Sequence, residues 1–168
     1  MPLSPPDDMD VVDYIAQTQA SYAQLGYDSY RWADEPEPSA FVIPEKPLSD
    51  SRVALVASGG IYKVGQVAFH HRDDTSHRRI PSDVDVADLR VSHFAYDKTD
   101  ARIDPNVVFP IDALRRLSSE GEIGSLTSDA LTFMGGIYSQ RRLRDELMPA
   151  LAEDLADMDP DVVLLVPV

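Results

Sequence analysis

The stretch DPDVVLLVPV, residues 159–168, decides the fold expected of this chain. Its apolar part, Val162 to Val166, is mostly β-branched and follows the turn-forming pair Asp159–Pro160. A continuous apolar run of this kind is typical of a strand in a parallel sheet that is buried on both faces. Ligand sites of open parallel sheets lie just beyond the carboxyl ends of such strands. The sequence therefore predicts the beginning of a site at the point where the sequence ends.

Apolar strand-like runs alternate with amphipathic helical segments along the rest of the chain. RVALVASGG (52–60) and LTFMGG (131–136) are typical of strands that end in paired glycines, and DLRVSHFAYD (88–97) alternates as a strand does. Helical spacing marks residues 111–121 and 139–158, and Pro149 predicts a kink or a restart within the second of these helices. This order predicts an α/β fold whose largely parallel sheet is flanked by helices and is incomplete at its C-terminal strand.

The chain is expected to divide near residue 50. Residues 1–50 are predicted to hold an N-terminal helix and a proline-rich arm, and residues 51–168 the α/β domain. Aromatic residues of the arm are expected to anchor it to a core; they are Tyr27, Tyr30, Trp32 and Phe41. Residues 70–85 are too polar for a core element and are interpreted as a loop.

Composition excludes several classes of function. The 168 residues carry a net charge of −14, from 29 acidic and 15 basic residues, which disfavours nucleic acid and anionic membranes as partners. No apolar run approaches the ~20 residues of a membrane span, and the N-terminus lacks a signal-peptide pattern, so the cytoplasm is the expected location. The absence of cysteine excludes disulfides, zinc–thiolate sites and thiol redox chemistry carried by these residues alone.

The tetrapeptide GGIY occurs twice, at residues 59–62 and 135–138, each time after a strand-like run. Paired glycines permit positive φ and can present amide N–H groups to an anion, although a plain strand-to-loop turn is the simpler interpretation of the pattern. Neither copy matches a phosphate loop or a dinucleotide fingerprint. In the first copy, two following side chains are placed to hold a carboxylate. The candidate substrate-binding residues are therefore Gly59, Gly60, Lys63, Gln66, Gly135 and Gly136.

His93 is the candidate catalytic residue, because it falls on a predicted strand and histidine titrates near neutrality. It suits a general acid or a hydrogen-bond donor to substrate, whereas the alternative is a histidine satisfied within the structure. The cluster HHRDDTSH (70–77) contains residues that bind metals, but neighbouring arginines can pair with its acids. A solvated loop is the simpler interpretation there, and no metal is expected.

Several segments in order resemble one family. They are residues 12–33, 46–69, 88–125, 133–137 and 161–168, of which SGGIYKVGQ (58–66) and IDPNVVFPIDALRRL (103–117) are the most specific. Together they resemble the N-terminal part of the glycine/sarcosine/betaine reductase selenoprotein B family, which includes the D-proline reductase selenoprotein. The resemblance extends over nearly the whole chain from Val12 onward.

The resemblance implies reductive C–N bond cleavage in a small amino-acid-type or N-methylated amine substrate. In the family this chemistry depends on a selenocysteine or cysteine, with a second cysteine close by, immediately after a strand similar to VVLLVPV. Selenocysteine is encoded by a codon that otherwise means stop, so we expect Val168 to precede an unread selenocysteine. No cofactor is expected within these residues. The resemblance also implies a redox partner subunit or thiol reductant, and a partner that supplies a carbonyl cofactor.

Two other interpretations stay open at the level of sequence. The chain can be a non-catalytic binding or assembly subunit whose last strand pairs with a separately encoded redox partner. It can also be an anion- or metabolite-binding α/β protein unrelated to reduction. Whether the chain is an enzyme is therefore left undecided, and its exposed final strand predicts poor solubility or oligomerisation when it is expressed alone.

Overall fold

The computed structural model describes residues 13–26, residue 28 and residues 42–168. The chain divides into two units, residues 1–40 and 41–168. Within the first unit, α1 (Tyr14–Gln24) begins at Asp13, whose carboxylate accepts a hydrogen bond from the backbone N–H of Ala16. The four aromatic residues expected to anchor the arm lie outside the described residues.

The second unit has an α/β fold, in which an open β-sheet is combined with helices. Its strands are β1 (Arg52–Ala57), β2 (Ile61–Lys63), β3 (His77–Pro81), β4 (Leu89–Val91), β5 (Ser125–Leu126), β6 (Asp129–Phe133) and β7 (Val162–Val166). Its helices are α2 (Thr99–Ile103), α3 (Ile111–Ser119), α4 (Gln140–Arg142) and α5 (Met148–Met158), with a π-helical segment, Leu143–Leu147, between the last two. Among the described residues, no helix is long and apolar enough to cross a membrane.

β1 is the central strand of the five-stranded sheet. Val53 pairs with both Leu126 of β5 and Val162 of β7, so these two strands lie on opposite sides of β1. β6 pairs with the end of β1, again in parallel, and β3 runs antiparallel along the outer side of β6. β2 and β4 form a separate antiparallel pair. The predicted α/β class with a largely parallel sheet is confirmed.

Both faces of β1 are covered by apolar side chains. Leu55 belongs to a cluster that includes Ile111 and Leu114 of α3. Val56 points to the other face, where it packs with Leu131 of β6 and Met158 of α5. Because β1 lies between two apolar layers, a continuous run of β-branched and small residues suits it.

β7 differs from its expected burial. It pairs in parallel with β1 over its whole length, but the exposed fractions of Val163, Leu164 and Leu165 are 37%, 38% and 67%. The prediction of burial on both faces is therefore wrong in this unit. The reason is position: within the described residues β7 has β1 as its single strand neighbour, so it is an apolar edge of an open sheet.

The polar stretch 70–85 also departs from the loop expected for it, because β3 forms within it. Ile80 is the one buried residue of β3. His77 and Arg79 form hydrogen bonds with the carboxylate of Asp154 in α5, at 2.6 and 3.2 Å. An edge strand can be this polar when its charged side chains pair with a neighbouring helix.

Pro149 lies in the first turn of α5, just after the π-helical segment, where its missing N–H needs no partner.

Candidate functional site

The candidate site lies where β1, β6 and β7 end. Residues 58–60 follow β1 and residues 134–136 follow β6; we call these two segments the glycine floor. An isolated antiparallel bridge joins Gly59 to Met134. The backbone N–H of Gly60 donates to the carbonyl oxygen of Phe133 at 2.9 Å, and that of Gly135 donates to Ser58 at 2.9 Å. The structure therefore brings together two copies of GGIY that are distant in sequence.

The glycines of the floor serve close packing. Gly60 has a φ of +72°, and a Cβ built there would collide with the carbonyl oxygen of Ser92. A Cβ on Gly136 would collide with the ring of Phe94, and one on Gly59 would lie 2.9 Å from Cβ of Val108. Since the N–H groups of Gly60 and Gly135 are used between the two segments, the floor is a surface for packing rather than an open row of amide donors at these two positions.

Residues 92–96 lie over this floor, and we call them the aromatic cover. The backbone N–H of Ser92 donates to the carbonyl oxygen of Gly60 at 2.9 Å, and the hydroxyl of Tyr96 donates to that of Gly59 at 2.8 Å. Phe94 stacks near Tyr138, with ring centroids 6.2 Å apart. The cover is thus bound to the first glycine segment by hydrogen bonds and packs on the second through Phe94.

His93 is the buried polar group of the cover, with only 1% of its surface exposed. It lies two residues beyond the end of β4 rather than on the strand expected to carry it. Its Nδ1 accepts a hydrogen bond from the backbone N–H of Ala95 at 3.0 Å, while its Nε2 has no partner among the described residues. Burial, with the nearby charges of Lys98 and His71 adding to it, holds the pKa of His93 below its ordinary value. His93 is therefore a neutral imidazole that carries its proton on Nε2.

Lys63 and Gln66 lie away from the floor, along β2 and the turn after it. Lys63 pairs with Leu89, whereas Ile61, next to the floor, pairs with Val91. The side-chain oxygen of Gln66 accepts from the backbone N–H of Lys63 at 2.9 Å, and its amide nitrogen donates to the carbonyl of Arg79 at 2.9 Å. The Gln66 side chain therefore shapes this turn.

The sequence did not single out Ser58 or Tyr96, which complete the site. The backbone N–H of Val168 donates to Oγ of Ser58 at 3.0 Å. A side-chain carbon of Val168 lies 3.3 Å from the position of a Cβ on Gly59. An apolar depression of about 230 Å³ opens beside them; it is lined by Val56, Ser58, Phe133, Leu165, Val166 and Pro167. The position of Ser58 directly after the buried strand β1 is a signal from which the sequence could have identified it.

The acidic residues of segment 70–77 hold its turns. Asp74 is buried, and its carboxylate accepts backbone N–H groups of His70 and Ser76, each at 2.9 Å. Asp73 has a φ of +45° and accepts the N–H groups of Tyr138 and Ser139 at 2.7 and 3.1 Å. Within the described ranges, no group of three potential ligands is placed to hold a metal ion.

A larger cleft of about 630 Å³ lies at the amino end of β6, beside Ser82, Arg115 and Ser128. The guanidinium of Arg115 already donates to the carbonyl oxygens of Ser82 and Val84, at 2.7 and 2.6 Å, and pairs with Asp112 at 2.7 Å. Its cationic group is therefore engaged in holding α3 to the segment after β3. Ligands of open parallel sheets bind at the opposite, carboxyl edge, which favours the glycine floor.

Comparison with known proteins supports one family. The chain is 40% identical over 120 residues to the D-proline reductase subunit gamma of Acetoanaerobium sticklandii, covering 71% of this chain and 50% of that protein. It is 32% identical over 129 residues to the glycine reductase complex component B subunit gamma of Symbiobacterium thermophilum, covering 73% of this chain and 29% of that protein. A betaine reductase complex component B subunit beta of Peptoclostridium acidaminophilum is 36% identical over 92 residues, or 49% of this chain and 20% of that protein.

These alignments span half or less of the curated relatives. No solved structure matches the chain. The sequence profile described as glycine/sarcosine/betaine reductase selenoprotein B (GRDB) matches residues 33–167, which include every strand of the sheet. The chain belongs to the glycine/sarcosine/betaine reductase selenoprotein B family.

Proposed function

We propose that this chain supplies the substrate-binding part of a reductase complex that cleaves a C–N bond in a small amino acid or N-methylated amine. The observation that carries the proposal is the convergence of three strand ends, the glycine floor and the buried His93 at one edge of a parallel sheet. Family membership supports a role as a component of such a complex. The relatives are named as reductases of D-proline, glycine and betaine, which supports a substrate of this class.

The 168 residues contain no cysteine, so the redox group must come from elsewhere. We propose that a selenol or thiol following Val168, with a nearby thiol, supplies two electrons and becomes oxidised to a selenenyl sulfide or disulfide. The broken C–N bond then takes up these two electrons and two protons, which form one C–H and one N–H bond. Val168 is hydrogen-bonded to Ser58 beside the floor. This supports the proposed place of the redox group, because residues that followed Val168 would start at the site.

The residues of this chain would position the substrate. His93 is only 1% exposed, so its ring is shielded from water, and the apolar depression beside Ser58 suits the carbon skeleton of a small substrate. Gly59, Gly60, Gly135 and Gly136 keep the two segments close enough for the cover to pack on them. Lys63 and Gln66 remain candidates for contacts at the rim, although the Gln66 side chain is engaged in its turn.

A turnover assay tests the proposal. The natural full-length chain, purified with its associated subunits, is supplied with dithiothreitol and separately with glycine, sarcosine, betaine and D-proline. We expect consumption of one substrate with oxidation of two thiols for each C–N bond cleaved. Failure of the active complex to consume any of the four would contradict the substrate class.

A second candidate function has its own supporting observation. The apolar edge strand β7, with Leu165 67% exposed, suits an assembly subunit whose last strand pairs with a strand of a redox partner. Reading the coding strand beyond the codon for Val168 separates the two candidates. An in-frame UGA followed by a cysteine motif favours a redox group in the same chain, and a separate reading frame with its own start codon favours a separately encoded partner.

A further inference from the structure

We propose that His93 donates the proton on Nε2 in a hydrogen bond to a carboxylate oxygen of the substrate, once the side chain of Tyr96 moves aside. This inference rests on the proposed function and deepens it, because it assigns one atom of the site to one group of the substrate. Nearly all buried polar groups in folded proteins have hydrogen-bond partners, so an unpartnered one at the carboxyl edge of a sheet calls for a ligand.

The tautomer of His93 follows from its contacts. Nδ1 accepts the N–H of Ala95 at 3.0 Å, so the proton of the neutral ring lies on Nε2. That N–H group is enclosed and has no acceptor among the described residues. A carboxylate is a strong acceptor for such a donor, and the resulting hydrogen bond is charge-assisted.

The same contacts argue against proton transfer from this ring. A neutral imidazole that gave up its Nε2 proton would become an imidazolate, which is a far less accessible state than the neutral ring. A general acid would need the imidazolium form, which burial and the charges of Lys98 and His71 disfavour. His93 is therefore a positioning donor, and the protons for C–N cleavage come from another group.

Access to Nε2 requires one of its aromatic neighbours to move. The ring centroids of Tyr96 and Phe94 lie 4.8 and 5.8 Å from that of His93. Phe94 packs so closely on Gly136 that no Cβ fits between them. Tyr96 is held at its hydroxyl by the hydrogen bond to the carbonyl oxygen of Gly59. Tyr96 is therefore the side chain that moves to expose Nε2, and the hydrogen bond of its hydroxyl holds it in the closed position.

Chemical modification tests the role of the Tyr96–Gly59 hydrogen bond without an activity assay. Diethyl pyrocarbonate is applied to the intact full-length protein, and its adducts are quantified for each histidine by mass spectrometry. Tyr96→Phe removes one hydrogen bond and is expected to raise the modification rate of His93 about 2- to 10-fold. The exposed His70 serves as the internal reference whose rate stays unchanged. An unchanged rate at His93 would overturn the role of Tyr96.

The donor role is tested on the same Tyr96→Phe protein with glycine, D-proline and betaine as probes. At least one of these carboxylates is expected to slow modification of His93, while its methyl ester is not. Absence of slowing by all three overturns the donor role. Substrate consumption by the wild-type complex is measured in parallel: if it proceeds, the proposed function stands and only the role of His93 is lost.

Two substitutions provide a matched kinetic comparison. In His93→Asn the side-chain oxygen can still accept the Ala95 N–H, but the donor at Nε2 is lost, whereas His93→Gln restores an N–H donor near that position. We expect His93→Asn to raise KM for the substrate about 10- to 100-fold, and His93→Gln to recover part of this loss. Thermal unfolding of both variants controls for damage to the cover. A KM for folded His93→Asn equal to that of the wild type would overturn the proposal.

Discussion

Gly60 and Ser92 approach so closely that no side chain fits between them: the N–H of Ser92 donates to the carbonyl of Gly60 at 2.9 Å, and a Cβ on Gly60 would collide with the Ser92 carbonyl oxygen. Gly60→Ala must therefore shift the cover as well as hold alanine at a φ of +72°. We expect a loss of about 3 kcal/mol or more in the free energy of unfolding, measured by urea denaturation.

Gly121→Ala is the matched control for this substitution. Gly121 has a φ of +76°, but a Cβ there meets nothing within 4 Å. Only the left-handed backbone is then penalised, at about 1–2 kcal/mol. Equal losses for the two variants would show that the contact between Gly60 and Ser92 contributes nothing to stability.

Asp73 is expected to hold the second glycine segment in place. Asp73→Ala removes the acceptor for the N–H groups of Tyr138 and Ser139 and leaves alanine at a φ of +45°. We expect this change to cost about 2–3 kcal/mol in the free energy of unfolding. Asp73→Asn keeps an acceptor oxygen and tolerates the left-handed backbone, so its expected cost is below about 1 kcal/mol. The prediction fails if the two variants unfold at the same denaturant concentration.

The buried His93 predicts a pH dependence of stability. Its folded pKa lies below the ordinary value of 6.5, so the unfolded chain binds more protons than the folded one just below that pH. Its contribution is fully present above about pH 7 and is lost as the pH falls through 6.5 toward the folded pKa. Urea denaturation between pH 7.5 and 5 should show this decline in the wild type and a smaller decline in His93→Gln. If the free energies of unfolding of the two proteins fall equally with pH, the decline does not come from His93.

The exposed edge of β7 predicts a role in assembly. Leu165→Lys changes a side chain that is 67% exposed, so it should alter the unfolding free energy of the chain by less than about 0.5 kcal/mol. It should nevertheless weaken association with the complex, measured by co-purification of the full-length protein, because a charge would be buried at an apolar interface. Ile103→Lys, at a residue 79% exposed on α2, is the control. Equal recovery of partner subunits with both variants would argue against β7 as an interface.

The sequence was a good guide to the fold where hydrophobic pattern decides the outcome. The apolar runs of β1, β6 and β7 and the apolar stripe of α3 all form as expected. β3 was missed because an edge strand that pairs its charges with a helix has no apolar period to detect. The exposure of β7 depends on which strand lies beside it, and local pattern cannot supply that information.

The candidate site shows the same division. Paired glycines after two strands indicated a close approach of backbone, and the structure shows one. His93 was a separate candidate, and its position beside Gly60 was not predicted. The partner in that approach was not predictable, because the contact between Gly136 and Phe94 joins residues that lie far apart in sequence. The tautomer of His93 likewise depends on one backbone N–H, that of Ala95, which only three-dimensional geometry reveals.

The central claim is that the glycine floor and the aromatic cover form the substrate site, and hydrogen–deuterium exchange on the intact assembled protein tests it most directly. Exchange is compared with and without the substrate that the complex consumes. The account predicts slower exchange in residues 58–60, 92–96 and 134–136, with little change around Arg115. Protection confined to the cleft beside Arg115, with the floor and the cover unaffected, would contradict the account.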